Sequence, residues 1–172
     1  MKKSTLLLLS VLVTFTTAAG QTVNGTVVRV LDGDTYDLLI DSSRTIRVRM
    51  DGIDAPETAM PYYRTATDYL RELTRGQNVT IDTTNRDRYG RVISYSHLSD
   101  GRELSAEMIK AGYAWHFKRY NSDSTLAVLE LEARAARRGL WQDDEPYEPS
   151  EIRRLRRSGR STRSLFSEDA VK

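Results

Sequence analysis

Cysteine is absent from the 172 residues, so the fold relies on no disulfide, and a lipid-modified cysteine anchor is excluded. Long apolar runs are absent too, with one partial exception. Lys2 and Lys3 precede "LLLLSVLVTF", which ends in the small residues "TTAAG". That run falls short of the roughly 20 residues a membrane-spanning helix needs. A basic start, a short apolar centre and an A-x-A-like exit describe a secretory signal peptide, with cleavage expected near Ala19 or Gly20. The mature chain is therefore expected to be secreted, extracellular or periplasmic, with no stable membrane insertion once the signal is removed. Histidine is scarce: His97 and His116 are not spaced with acids as a metal cluster and read as packing or surface residues. No internal repeat is visible, and strands and helices do not alternate in the βαβ manner throughout.

The formal charge of +2 hides an uneven distribution. Residues 21–149 carry a net −4, whereas residues 150–172 carry +4. Between them lies a change of character at Pro149. Beyond it, six arginines fall between positions 153 and 163 with no sustained apolar face, so residues 146–172 read as a flexible basic tail. Residues 1–20 are the signal, and residues 21–145 form one domain, long enough for a real core.

Within that domain, short β-branched segments come first. "TVNGTVVRVLD" (22–32) and "TYDLLI" (35–40) are separated by Asp-Gly-Asp, a strong turn signal. In "RTIRVRM" (44–50), Ile46, Val48 and Met50 share one face, and Arg47 and Arg49 the other. "NVTIDT" (78–83) and "RVISYSHL" (91–98) are two further strands around a polar loop. Helical spacing covers 58–75, 103–112 and 123–139, with glycine stops at Gly76, Gly112 and Gly139 and an N-cap at Ser122 or Asp123. Trp115 and Trp141 read as core anchors. Five short strands with interspersed helices indicate an α+β fold built on a small β-barrel.

Three constellations carry chemical potential. "DGDT" (32–35) by itself is a favoured hairpin turn. Asp34 gains weight because Asp54 also sits where a strand gives way to a loop, and two carboxylates with a carbonyl and waters suit a hard cation such as Ca²⁺. In "DAPE" (54–57), Pro56 restricts the chain, so Asp54 and Glu57 are aimed reproducibly; the same acids would also serve simply to begin a helix. In "NRDRYGR" (85–91), Arg86, Arg88 and Arg91 surround Tyr89 and Gly90. Guanidinium beside an aromatic ring suits phosphate binding and base stacking, although any one of these arginines fits a polar hairpin loop.

Taken in order, "VVRVLDGDT", "IRVRMDGIDAPE", "DRYGR", "SAEMIKAGYAW" and "ARAARRGLW" resemble the staphylococcal-nuclease-like (thermonuclease) family, over a stretch from about Thr22 to Trp141. The resemblance implies a five-stranded OB-type barrel with three helices. It also implies a Ca²⁺-dependent phosphodiesterase acting on DNA and RNA as a monomer, breaking the bond to the 5′-oxygen and leaving 3′-phosphate ends. Arg49 and Arg91 match the arginines that bind the scissile phosphate, and Glu57 matches the catalytic glutamate. Asp34 and Asp54 match the calcium-binding aspartates, and Ala55 stands where the family supplies a backbone carbonyl to the ion. Tyr89 matches a phosphate-binding tyrosine, with Arg88 beside it as a substrate contact.

The chain departs from the family pattern twice. "TAMPYYRTA", after Glu57, lacks a glycine common in relatives. After Gly112, "YAWHFKRY" has no unambiguous counterpart of the second substrate-contacting tyrosine, since counting lands on Lys118 with Phe117 and Tyr120 nearby. A non-catalytic binding module of the same fold is the alternative, but none of the catalytic residue types is lost.

Overall fold

The computed structural model describes residues 22–166; the expected signal peptide lies outside them. Five strands close a barrel in the order β1-β2-β3-β6-β5: β1 (Thr22–Val30), β2 (Thr35–Ile40), β3 (Arg44–Met50), β5 (Asn78–Arg86) and β6 (Val92–Leu98). β4 (Ile53–Asp54) and β7 (Trp115–His116) form a separate two-stranded ladder. Alternation explains the barrel. Along β6 every second residue is buried, and β3 turns Val48 and Met50 inward. A closed barrel leaves no open edge to template aggregation. All barrel pairings are antiparallel except β3 with β6, which aligns Arg49 with Ile93 and so brings two site-bearing segments side by side.

Helices close the core. α1 (Tyr63–Thr74) contributes Ala66 and Leu70, α2 (Leu104–Lys110) Leu104, Met108 and Ile109, and α3 (Ser124–Ala135) Leu126, all joining Tyr36, Leu38, Val48, Met50 and Ile81 in one apolar cluster. The Glu103 carboxylate caps α2 through the N–H groups of Ser105 and Ala106, and Asp123 caps α3 through that of Thr125, satisfying donors that helix starts leave open. α1 begins at Tyr63 rather than near Thr58, because Ala59 and Tyr62 both adopt the left-handed conformation. Trp115 and Trp141 meet edge to face, 5.6 Å between centroids, in a second cluster with Ala133 and Leu140.

Residues 146–172 read in sequence as a flexible tail, yet Pro149–Arg157 is a fourth helix, α4. Its cause is local and tertiary together. Pro149 occupies the first turn, where its missing N–H costs nothing. Ile152 is fully buried, and Leu155 one turn later is half-buried. Tyr147 packs edge to face on Phe166 with centroids 5.5 Å apart. Among the described residues, no helix is long and apolar enough to cross a membrane.

Candidate active site

The turn between β1 and β2 is pressed against the segment after β4. A Cβ at Gly33 would lie 2.8 Å from that of Ala55 and 3.0 Å from that of Ala66, so only glycine admits this approach. The approach delivers Asp34. Its Oδ2 accepts the Ala55 N–H at 2.8 Å and its Oδ1 the Thr35 hydroxyl at 2.9 Å. Asp34 N–H in turn donates to Asp32 Oδ1 at 3.0 Å. Burial, reinforced by the charge of Asp34, pushes the Asp32 carboxyl up to about 7. Nothing in the turn signal pointed to Asp32 as more than a turn former.

Arg49 leaves β3 on the face away from Val48 and Met50, as its alternation required. It is then folded back over the acids. Nε lies 3.1 Å from Asp34 Oδ1, Nη2 donates to Asp54 Oδ1 at 3.3 Å, and Nη1 donates to the Met50 carbonyl at 2.7 Å. Asp54 is buried within the β4–β7 ladder, paired with Trp115. Burial raises its carboxyl above the usual range, and Asp34 adds to the rise, while bonds and charge from Arg153 and Arg49 oppose it. Pro56 is buried and Glu57 half-buried beside it, and the Glu57 N–H meets Met60 Sδ at 3.3 Å.

The third constellation comes from the β5–β6 hairpin. Asp87 organises it. Its Oδ1 accepts the N–H groups of Tyr89 (2.9 Å) and Arg91 (3.0 Å), and its Oδ2 accepts Arg91 Nε at 2.7 Å. Partial burial pushes the Asp87 carboxyl up, but those bonds outweigh it and hold the group below the usual carboxylate range. Arg88 and Arg91 flank the exposed Tyr89 ring, 5.0 and 5.6 Å from its centroid. The guanidinium–aromatic grouping expected from sequence is therefore real, and Asp87 is the residue that aims it.

Eight residues singled out from the sequence (Asp34, Arg49, Asp54, Ala55, Glu57, Arg88, Tyr89 and Arg91) line one open cleft of about 1430 Å³, whereas Arg86 donates to the Gly90 carbonyl at 2.8 Å within its own hairpin. Its far wall carries Phe117 and Tyr120, with rings 4.8 Å apart, and Lys118, which pairs with Glu130 at 2.5 Å. Among the described residues no group of three or more histidines or acids forms a metal cage, so the candidate cation ligands remain the two carboxylates Asp34 and Asp54 with oxygen from elsewhere.

Two arginines of α4 reach the acids of the cleft, and the sequence pattern did not anticipate them. Arg153 donates to Asp54 Oδ2 at 2.6 Å and Oδ1 at 3.0 Å, and to Glu57 Oε1 at 2.8 Å. Arg156 donates to Glu57 Oε2 at 3.0 Å. Burial works against the Arg153 charge, but its bonds to Asp54 and Glu57 prevail and hold it above the ordinary arginine value. The only sequence trace of this arrangement is Pro149 followed by Ile152 and Leu155.

Chemically, the cleft gathers guanidiniums able to grip phosphate oxygens bidentately, and acids able to hold a hard cation and a water. The staphylococcal nuclease homologue family matches residues 47–143. A protein of Escherichia coli named "Uncharacterized endonuclease" is 44% identical over 127 residues, covering 74% of this chain and 82% of its own. A like-named protein of Haemophilus influenzae is 34% identical over 128 residues, covering 74% and 71%. A staphylococcal-like nuclease of Arabidopsis thaliana is 37% identical over 117 residues, covering 68% of this chain but 36% of the longer plant protein. With its mixed five-stranded barrel and these relatives, the chain belongs to the staphylococcal nuclease homologue family.

Proposed function

We propose that the protein is a secreted, Ca²⁺-dependent nuclease that hydrolyses phosphodiester bonds of DNA and RNA, acting as a monomer and leaving 3′-phosphate ends. The observation that carries this reading is the convergence of Asp34, Arg49, Asp54, Glu57 and Arg91 on one cleft. Secretion rests on the signal-like start at Lys2 and Lys3 with its short apolar run.

The residues present suit a hard cation. Asp34 and Asp54 are buried acids close enough for each charge to oppose the other, a repulsion that a divalent ion relieves. Asp34 and Asp54 would hold Ca²⁺ with the Ala55 carbonyl, waters and a substrate oxygen filling the remaining positions. When bound, the ion supplies Lewis-acid charge beside the phosphate.

The chain's own groups do the rest. Arg49 donates to Asp54 and the Met50 carbonyl and forms an ion pair with Asp34, leaving N–H groups on Nη1 and Nη2 for a phosphate. Arg91, aimed by Asp87, grips the phosphate from the neighbouring strand, and the two guanidiniums offset the charge that builds at phosphorus. Glu57 orients and helps activate the attacking water. As the water oxygen bonds to phosphorus, the bond to the 5′-oxygen breaks and that oxygen leaves with a proton. Tyr89 and Arg88 hold substrate phosphate at the rim.

The test is cleavage of a defined single-stranded DNA and its RNA counterpart, with Ca²⁺ or with excess chelator, and with the product ends mapped. Cleavage that needs Ca²⁺, yields 3′-phosphate ends and is lost in Glu57→Gln is expected. Undiminished activity in chelator would sink the calcium assignment. Tight oligonucleotide binding without product would favour the binding-module alternative.

A further inference from the structure

α4 does more than pack. Both oxygens of Asp54 are engaged by cationic nitrogen: Oδ2 takes Arg153 Nη2 at 2.6 Å, and Oδ1 takes Arg153 Nη1 at 3.0 Å together with Arg49 Nη2 at 3.3 Å. Both oxygens of Glu57 are engaged as well, Oε1 by Arg153 at 2.8 Å and Oε2 by Arg156 at 3.0 Å. Arg156 is itself fixed by the Thr58 carbonyl at 2.9 Å and the buried Thr162 hydroxyl at 3.3 Å. The helix that carries these arginines lies 96 to 99 residues away in sequence from the acids it binds.

A Ca²⁺ ligand oxygen approaches the ion to about 2.3–2.6 Å along its lone pairs. A carboxylate offers about four lone-pair directions; at Asp54 three are taken, two on Oδ1 and one on Oδ2, so an ion can approach only alongside Arg153. A guanidinium left in place would also sit against a divalent charge. Cation and Arg153 therefore compete for Asp54, and a water at Glu57 competes with Arg153 and Arg156 for the same two oxygens.

We infer that α4 is a built-in block of the cleft: Arg153 and Arg156 occupy the carboxylates of Asp54 and Glu57, and the divalent cation must displace them before the site can work. This rests on the calcium reading above. The anchor of α4 is small enough to release. Pro149 and Ile152 are its two buried residues, Leu155 is half-buried, and the rest of its surface is largely exposed. Nucleic acid provides the displaced arginines with new partners, since Arg154 and Arg157 already face the same cleft and phosphates accept arginine bidentately.

Calorimetric titration of CaCl₂ into the full mature chain, without nucleic acid, tests the block directly. The double variant Arg153→Ala/Arg156→Ala is expected to bind Ca²⁺ at least tenfold more tightly than the wild type. Arg153→Met, which keeps the apolar stem and guards against a folding defect, should also bind more tightly. In the wild type, amide exchange across residues 149–157 should speed up in saturating Ca²⁺. Variants that bind Ca²⁺ no more tightly than the wild type would overturn the block and leave the calcium site standing. If neither protein binds Ca²⁺ at millimolar concentration, the calcium reading falls and the block with it.

Discussion

Replacing Arg49 with lysine separates charge from geometry. The guanidinium meets three partners at once: Asp34 at 3.1 Å, Asp54 at 3.3 Å and the Met50 carbonyl at 2.7 Å. Its side chain is 13% exposed. A lysine ammonium keeps the charge but cannot span three partners and still present two parallel donors to a phosphate. Removing one member of a buried ion pair costs about 3–5 kcal/mol when the other is left alone. Here neither acid is left alone, because Asp34 keeps the Thr35 hydroxyl and the Ala55 N–H, and Asp54 keeps Arg153. The expected loss of stability is therefore smaller, about 1–3 kcal/mol, or roughly 3–10 °C in Tm for a domain of this size. Loss of a preorganised transition-state donor pair is expected to lower kcat/KM by about 10²–10³-fold, equivalent to about 2.7–4 kcal/mol. The assay is initial-rate cleavage of a single-stranded oligonucleotide at saturating Ca²⁺, run well below the melting temperature of both proteins, with thermal unfolding followed by circular dichroism. A lysine variant within tenfold of the wild type would show that charge alone suffices and would refute the geometric argument. An unchanged Tm would refute the claim that Arg49 ties the two acid-bearing segments together.

Asp87→Ala removes the group that holds Arg91 and the turn N–H donors, so kcat/KM should fall by about tenfold or more while the fold persists; an unchanged rate would mean that Arg91 finds its position unaided. Because the folded Asp87 carboxyl titrates below its unfolded value, its stabilisation is complete above the unfolded pKa, about 3.9, and is lost as pH falls through the folded pKa. The stability gap between wild type and Asp87→Ala should accordingly close in acid and not in base, as acid-dependent urea unfolding would reveal. Gly112→Ala should be severely destabilising, because the new Cβ would lie 2.1 Å from the Arg138 carbonyl oxygen at a residue with φ +77°. Strain and overpacking together suggest about 3–5 kcal/mol, and a variant within roughly 0.5 kcal/mol of the wild type, the scatter of a neutral surface change, would refute the close packing of Gly112 on Gly139.

The limits of sequence reading follow from which interactions have a period. β3 and β6 announce themselves because burial alternates along them, and each inward residue repeats the same message: Val48 and Met50 on one strand, Val92, Ser94, Ser96 and Leu98 on the other. The same alternation is enough to put Arg49 on the outside of the barrel. No period marks Asp87 as the organiser of its hairpin, because an acid two residues before an exposed tyrosine resembles any polar turn. α4 is the sharper case. Its arginines make the segment strongly polar on average, so it reads as solvated charge although Ile152 and the half-buried Leu155 set a distinct apolar side. What makes Arg153 ordered is not in its own neighbourhood at all. Asp54 and Glu57 are buried or half-buried acids whose charge has to be met, and Arg153 meets it from the other end of the domain. A run of arginines after a domain boundary therefore reads as solvated by default. It reads as structured once the body of the domain is seen to hold carboxylates that its own strands and loops leave short of positive charge.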